Sequence, residues 1–221
     1  PLFLVQGKEQ ALLATNLTEI EVMLAGLALG RGAPLNPMQL LWINLISDIF
    51  PGLALSMEPP ERDVLKRPPR ERDESIIRRK DLIRMGIESG VISAGTMASY
   101  AYALGRYGQG PRASTQAFTT LTVAQLLHAI VCRSRSRGLF NPGSRPANPR
   151  LQLALGASLV AQLAAGMVPG IRRLLGTTPL GPADLGVTAA GALLPLVINE
   201  AAKLRRGRGP ELQRAVDEPE S

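Results

Sequence analysis

Three polar side chains lie within a short apolar stretch and could together bind a cation. Asn44, Ser47 and Asp48 fall inside the run 37–57, about 21 mostly apolar residues, which is long enough to cross a bilayer as a helix. The spacing i, i+3, i+4 places all three on one helical face. An ionised side chain at mid-membrane costs about 2.5–3.5 kcal/mol even on lenient insertion scales, so Asp48 indicates a functional site.

Pro51 predicts a backbone ligand beside these side chains. Proline has no N–H to offer the carbonyl of Ser47, four residues earlier, so we expect that carbonyl to be free. A carboxylate, an amide, a hydroxyl and a free carbonyl are all hard oxygen ligands. Because no thiolate accompanies them, the pattern favours Ca²⁺, or else Mg²⁺ or Mn²⁺, over Cu⁺ and Zn²⁺.

A second polar pair lies in the preceding apolar run. Asn16 and Glu19 are three residues apart and share a face of a helix that is otherwise rich in Leu and Ala. In one interpretation Glu19 snorkels to the membrane surface or pairs with a neighbouring helix. In the other, Asn16 and Glu19 join the first group around one ion, and the two carboxylates balance a divalent charge.

The elements that must position these residues form, by prediction, an all-α membrane protein: a bundle of about six transmembrane helices. Several apolar runs approach the roughly 20 residues that a crossing needs, which argues against a soluble helical protein. The abundance of Ala, Gly and Leu suits closely packed membrane helices. The predicted crossings are at about 9–30, 37–57, 82–104, 113–132, 151–171 and 183–202.

The basic residues predict the orientation of these crossings. The loop 58–81 carries eight Lys and Arg residues, and the loop after the fourth crossing and the C-terminal tail carry five each, whereas the three opposite loops carry one, two and two. Cytoplasmic loops are the basic ones, so both termini are predicted to be cytoplasmic. The positive charge lies between apolar runs and not along one face, so nucleic acid is not an expected partner.

The few remaining reactive residues exclude other kinds of site. One cysteine, Cys132, allows no internal disulfide, and the single histidine, His128, excludes a Cys/His metal cluster within this chain. His128 is expected to form an interhelical hydrogen bond. The Pro-, Arg- and Glu-bearing tail 207–221 is predicted to be disordered.

Two motifs carry a resemblance to a known family. QLLWINLISD in the second crossing, followed by LALSMEPPERDVLKRPPR, resembles the sixth transmembrane helix and the following cytoplasmic loop of type II, calcium-pump-like P-type ATPases. A weaker likeness extends from about Leu12 to Lys203. The resemblance implies that 1–206 is a C-terminal transmembrane domain made of the last six helices of such a pump. It also implies that the loop 58–81 contacts a phosphorylation domain.

The resemblance further implies a set of metal ligands. Asn16 and Glu19 match fifth-helix ligand positions of calcium pumps, and the polar group of the second crossing matches sixth-helix ones. Gln125 matches a position where reticulum-type pumps carry glutamate and plasma-membrane-type pumps carry glutamine, which puts a second, fully charged calcium site in doubt. Glu21 lies on another face and matches no ligand position. The expected ligands are Asn16, Glu19, Asn44, Ser47, Asp48 and Gln125.

The function expected on this basis is the transport domain of an ATP-driven cation pump in a bacterial-type plasma membrane. The sequence contains no D-K-T-G motif, so ATP and Mg²⁺ would act only through missing cytoplasmic domains and the chain alone should not hydrolyse ATP. The expected partners are the lipid bilayer and an N-terminal half with four helices and the actuator, phosphorylation and nucleotide domains. A start at Pro1, near an apolar run and without a recognisable secretory signal, is typical of a fragment.

Two other functions remain open. The chain could be a non-enzymatic membrane scaffold or regulatory fragment that uses pump-derived helices to bind a partner. A passive cation channel is a third alternative, which ion flux without ATP would support.

Overall fold

The computed structural model describes residues 2–49, 79–131 and 149–198, and within these ranges every regular element is a helix. This architecture confirms the all-α fold class. The remainder of the second crossing with Pro51, the basic loop as far as residue 78, Cys132 and the predicted tail lie outside the described residues. The helices are α1 (Leu2–Ala28), α2 (Pro37–Ile43) continued by a π-helical segment (Asn44–Ile49), α3 (Arg79–Tyr107), α4 (Pro111–Val131), α5 (Pro149–Met167), α6 (Pro169–Leu175) and α7 (Pro182–Ile198).

A capped turn connects α1 to α2. Gly30 and Gly32 adopt positive φ angles of 64° and 73°, which a residue with a side chain rarely adopts. Asn36 then caps α2: its Oδ1 accepts from the backbone N–H of Gln39 at 2.9 Å, while Gln39 Oε1 accepts from the backbone N–H of Asn36 at 3.1 Å. Pro37 takes the first helical position, where its missing N–H costs nothing. The start of α2 is therefore fixed by local sequence.

The π-helical segment is held from the side by α5. Ser158 Oγ donates to the backbone carbonyl of Ile46 at 2.6 Å, and Trp42 Nε1 donates to Gln162 Oε1 at 3.2 Å. A π turn replaces the i→i+4 hydrogen bonds of an α-helix by i→i+5 bonds and is frequent at functional sites. Asn44, Ser47 and Asp48 were predicted to share one face of an α-helix, but they lie in a π-helical segment, which changes their angular spacing.

Close helix packing joins α3, α4 and α7. A Cβ added at Gly95 would lie 2.5 Å from the carbonyl oxygen of Gly191, and one added at Gly191 would lie 2.9 Å from Cγ2 of Thr120. Only glycine allows the backbones of α3 and α7 to approach this closely. At the far ends of the same helices, Tyr107 Oη lies 2.8 Å from Oδ1 of the buried Asp184.

The described residues bury many small polar side chains beside an apolar core that includes Ile92 and Phe118, and they expose many large apolar side chains. Thr18, Ser89 and Thr96 are fully buried, whereas Leu153 and Met167 are 75% and 76% exposed. Large exposed apolar surfaces mark contacts with a partner or a membrane, and membrane helices use small and polar residues between them. The exposed apolar side chains therefore indicate a surface that contacts a partner or a membrane.

The length and apolarity of the described helices do not by themselves identify single membrane spans. No single one of them is both long enough and apolar enough to cross a bilayer on its own. The pair α5 and α6 reaches the required length and apolarity together, but an 86° bend separates the two. The bend falls at Val168, which has extended backbone angles because the following Pro169 disfavours the helical conformation there.

Candidate functional site

A direct contact between two predicted ligands defines the candidate site. Ser47 Oγ in the π-helical segment lies 2.9 Å from Oε1 of Gln125 in α4, and both side chains are buried. The Ser47 hydroxyl also lies 2.6 Å from the carbonyl oxygen of Ile43, four residues earlier. A hydroxyl has one proton, so Ser47 can donate it to either of two acceptors, the Ile43 carbonyl or Gln125 Oε1.

The other half of the Gln125 amide is bound to α1. Its Nε2 donates to the backbone carbonyl of Thr15 at 3.2 Å and to Thr18 Oγ1 at 3.0 Å. A carbonyl can only accept, so this contact fixes which end of the amide faces α1. The Gln125 oxygen is therefore directed at Ser47, and α1, the π-helical segment and α4 meet at this point.

The remaining predicted ligands take different positions around this contact. Glu19 follows Thr18 directly in α1 and is buried, with 7% of its surface exposed. Asn16 has an exposed side chain, and Asn44 is half-buried at the start of the π-helical segment. The backbone of Asp48 belongs to that segment, but its side chain lies outside the described part of the structure. The structure thus brings Ser47 and Gln125 together and leaves Asn16 on an outer face of α1.

The chemistry of the described part of the site comes from neutral oxygen atoms. Among the described residues, no three His, Cys, Asp or Glu side chains are close enough to hold a metal ion together. Amide and hydroxyl oxygens such as those of Gln125 and Ser47 bind hard cations and not soft ones. The arrangement can therefore supply neutral ligands, to which Glu19 and Asp48 would add charge.

Glu21, which matched no ligand position, connects α1 to α3 through hydrogen bonds. Its Oε1 accepts from Ser89 Oγ at 2.9 Å and its Oε2 accepts from Ser93 Oγ at 2.6 Å. Each carboxylate oxygen thus receives a hydroxyl donor, which offsets part of the cost of burying charge. Because Ser93 Oγ also lies 3.4 Å from the carbonyl of Thr18, this contact positions the turn of α1 that carries Glu19.

One further acidic residue pairs α3 with α4. Glu88 accepts from Arg84 Nε at 2.7 Å, and its other carboxylate oxygen lies 3.8 Å from Nε2 of the buried His128. His128 thus faces α3, at a distance from Glu88 that is too long for the hydrogen bond that was predicted.

Some positioning residues have a weak signal in the sequence. Ser158 and Gln162 of α5 are four residues apart in an Ala- and Leu-rich helix, and both contact the second helix, Ser158 through the π-helical carbonyl and Gln162 through Trp42. Ser89 and Ser93 of α3 show the same spacing. Thr18 had no such signal, because a threonine in a membrane helix commonly bonds only its own backbone, as Thr18 Oγ1 also does to Thr15 at 2.5 Å.

Comparison with known proteins indicates the type of protein to which this arrangement belongs. The sequence model of the family described as "Cation transporting ATPase, C-terminus" matches residues 32–205. The chain is 33% identical to calcium-transporting ATPase 1 of Yarrowia lipolytica over 174 residues, which are 78% of this chain and 18% of that protein.

Two further relatives come from distant organisms. The chain is 32% identical over 193 residues to calcium-transporting ATPase type 2C member 2 of Mus musculus, covering 87% of this chain and 20% of the relative. It is 33% identical over 203 residues to a calcium-transporting ATPase of Bacillus subtilis, covering 88% of this chain and 22% of the relative. The chain therefore spans about a fifth of the length of these relatives.

Proposed function

Since the chain belongs to the family of C-terminal domains of cation-transporting ATPases, we propose that it is the membrane transport domain of an ATP-driven pump and contributes oxygen ligands to an intramembrane Ca²⁺ site. The observation that carries this proposal is the 2.9 Å contact between Ser47 Oγ and Gln125 Oε1. Hydrogen bonds hold both oxygens in place before any ion binds: Ser47 Oγ can donate to Gln125 Oε1 or to the Ile43 carbonyl, and the Gln125 amide nitrogen donates to α1. An ion bound by both oxygens would require the hydroxyl proton to turn to Ile43.

The separation of these two oxygens suits adjacent ligands of one ion. With metal–oxygen distances of about 2.4 Å, oxygens 2.9 Å apart subtend about 74°, close to the roughly 72° between equatorial ligands in a pentagonal bipyramid, which Ca²⁺ often adopts. Mg²⁺ at about 2.05 Å would subtend about 90°, so this distance alone suits both ions.

The number and kind of ligands favour Ca²⁺. It accepts about six to eight oxygens in flexible geometry, whereas Mg²⁺ usually keeps several waters and binds through one or two carboxylates. The proposed ligands offer three amides, one hydroxyl and two carboxylates, and the relatives are named calcium-transporting ATPases. The full proposed set is Asn16, Glu19, Asn44, Ser47, Asp48 and Gln125.

The proposed topology is six crossings with both termini on the cytoplasmic side. Inward-facing polar residues explain why single helices have modest hydropathy: Ser89, Ser93, Thr96 and Ser99 are all buried within α3 alone. Three of these side chains bond to neighbouring helices and so do not face lipid: Ser89 and Ser93 donate to Glu21 of α1, and Ser99 Oγ lies 2.8 Å from Thr120 Oγ1 of α4.

The remainder of the pump is proposed as the partner of this chain. The four-fifths of the relatives that the chain does not span would provide ATP hydrolysis, the other helices and further ligands. The exposed side of α1 that carries Asn16 is the proposed contact with those helices, so that Asn16 becomes a ligand only in the complete pump.

Transport by the reconstituted protein tests this proposal. We would join the chain to its upstream region, reconstitute it in liposomes and measure ATP-driven uptake of radioactive Ca²⁺ that an ionophore releases. We expect uptake that requires ATP and that excess Mg²⁺ does not abolish. Ca²⁺ flux without ATP would instead identify a channel, and neither uptake nor flux would favour a scaffold.

A further inference from the structure

A basic cleft lies beside the bend between α5 and α6. It has a volume of about 410 Å³, and its lining includes Arg172 and Arg173 of α6, Thr177 and Thr178 after it, and Pro111 at the start of α4. The cleft is wide open to its surroundings, so a ligand could enter it only in part. None of the proposed Ca²⁺ ligands lines it.

Arg172, which lines this cleft, has a guanidinium N–H that could donate to a further acceptor. Its Nε atom is buried and has no hydrogen-bond partner within the described part of the chain. A buried donor of a charged group that lacks a partner is costly, so an acceptor is expected to reach it. The threonines are already engaged, since Thr177 Oγ1 donates to the carbonyl of Ala165 at 2.7 Å and the N–H of Thr178 donates to Thr115 Oγ1 at 3.0 Å.

The surroundings of the cleft combine positive charge with apolar surface. Met167, Val168 and Leu174, which flank the arginines along the chain, are 76%, 44% and 59% exposed. The loops predicted for this side of the membrane carry five arginines. No acidic side chain among the described residues lines the cleft, and the carboxylate of Asp184 in α7 is engaged by Tyr107 and by the N–H of Gly181 at 2.9 Å.

We propose that this cleft binds the phosphate of an anionic phospholipid headgroup. The proposal rests on the proposed function, because it needs α5 to cross the bilayer and the 86° bend to turn α6 along its outer surface. The guanidinium groups of Arg172 and Arg173 then meet the phosphate, which arginine binds through paired hydrogen bonds. The exposed apolar side chains beside them contact the acyl chains, and the bound lipid stabilises the bend.

Lipid binding to the purified protein tests this inference. The chain joined to its upstream region would be purified in detergent, and phosphatidylglycerol or phosphatidylcholine would be added and bound lipid counted by native mass spectrometry. We expect a preference for phosphatidylglycerol that weakens about tenfold in Arg172→Gln and Arg173→Gln. Arg31→Gln removes the same charge on the same predicted side and should keep the preference.

Free phosphate is the alternative source of the same chemistry. Inorganic phosphate titrated into the lipid-free protein by calorimetry should bind far more weakly than the lipid. Binding of inorganic phosphate that blocks phosphatidylglycerol at equal concentration would overturn the lipid assignment, as would equal lipid binding in all four proteins. If Arg172→Gln does not fold, the lipid preference of Arg173→Gln alone tests the proposal.

The same samples separate this inference from the pump proposal. Ca²⁺-dependent phosphoenzyme formation would be measured on each. Normal Ca²⁺ dependence without selective lipid binding would refute only the proposal of lipid binding at the cleft. Selective lipid binding without Ca²⁺ dependence would refute only the proposal of a Ca²⁺ pump.

Discussion

Ser47 Oγ and Gln125 Oε1, 78 residues apart in the sequence, lie 2.9 Å from each other between the π-helical segment and α4. The contact joins one residue of the sequence motif to one that only the family resemblance suggested. Ser47 Oγ can donate to Gln125 Oε1, and the Gln125 amide nitrogen donates to α1, so hydrogen bonds hold both oxygens in place. This arrangement is the structural basis for the first prediction.

Replacing Gln125 with leucine should lower the apparent Ca²⁺ affinity by about tenfold or more, because one oxygen ligand is lost and Ser47 loses its partner. The measurement is the Ca²⁺ dependence of phosphoenzyme formation in the complete pump. Gln116→Leu is the matched control: Gln116 is equally buried in α4 but donates to Ser99 Oγ at 2.8 Å, away from the site. The control should lose stability without losing Ca²⁺ affinity, and equal affinity losses would contradict the prediction.

Ser158→Ala should weaken Ca²⁺ binding indirectly, by about two- to fivefold, because the Ile46 carbonyl loses the donor that holds the π-helical segment. Phosphorylation by inorganic phosphate, which needs no Ca²⁺ site, should be unchanged, and Ser158→Thr should restore affinity. Thr177→Ala removes a comparable hydrogen bond, to Ala165 at the other end of α5, and should leave affinity unaltered. An unchanged Ca²⁺ affinity in Ser158→Ala would show that Ser158 does not position the site.

The contact of Glu21 with Ser89 and Ser93 should act on stability and not on ion binding. Glu21→Gln, or Ser89→Ala combined with Ser93→Ala, should cost about 1–3 kcal/mol of unfolding free energy, since buried polar groups lose their partners. Thermal unfolding in detergent measures this loss, and the Ca²⁺ affinity should stay within about twofold of wild type. Loss of Ca²⁺ dependence in Glu21→Gln would show that Glu21 is itself a ligand.

The packing of α3 on α7 should tolerate no side chain at Gly95. Gly95→Ala should destabilise the protein by about 1–3 kcal/mol, because its Cβ would lie 2.5 Å from the Gly191 carbonyl oxygen and the helices would have to separate. Gly86→Ala in the same helix meets nothing within 4 Å and should stabilise by about 0.5–1 kcal/mol. The midpoint temperature of thermal unfolding measures the effect of each substitution. A lower midpoint for Gly86→Ala as well as for Gly95→Ala would contradict this explanation of the packing.

The sequence predicted the helices and the candidate ligands because both depend on local patterns. Apolar runs of membrane length predict helices, and polar residues within them predict function. The start of α2 also depends on local sequence, because Asn36 and Gln39 form a capping box and Pro37 takes the first helical position. The contact of Ser47 with Gln125 needed the family resemblance, because no local pattern links residues so far apart.

What the sequence did not predict depends on contacts between helices. The π turn needs Ser158 of another helix to satisfy the Ile46 carbonyl, so no rule applied to the second helix alone identifies it. Asn16 and Glu19 were assigned to one face, yet three residues correspond to about 60° of rotation, enough to bury one and expose the other. The predicted fifth crossing at about 151–171 continues past Pro169, whereas the chain bends by 86° between α5 and α6.

The central claim, that two carboxylates of the first two crossings bind the transported ion, is tested most directly by phosphoenzyme formation. The chain joined to its upstream region would be assayed in membranes as wild type, Glu19→Gln and Asp48→Asn. We predict that both variants lose Ca²⁺-dependent phosphorylation from ATP while keeping phosphorylation by inorganic phosphate. Unchanged Ca²⁺ dependence in both would contradict the site, because the carboxylates would then be structural, even though the chain would still belong to its family.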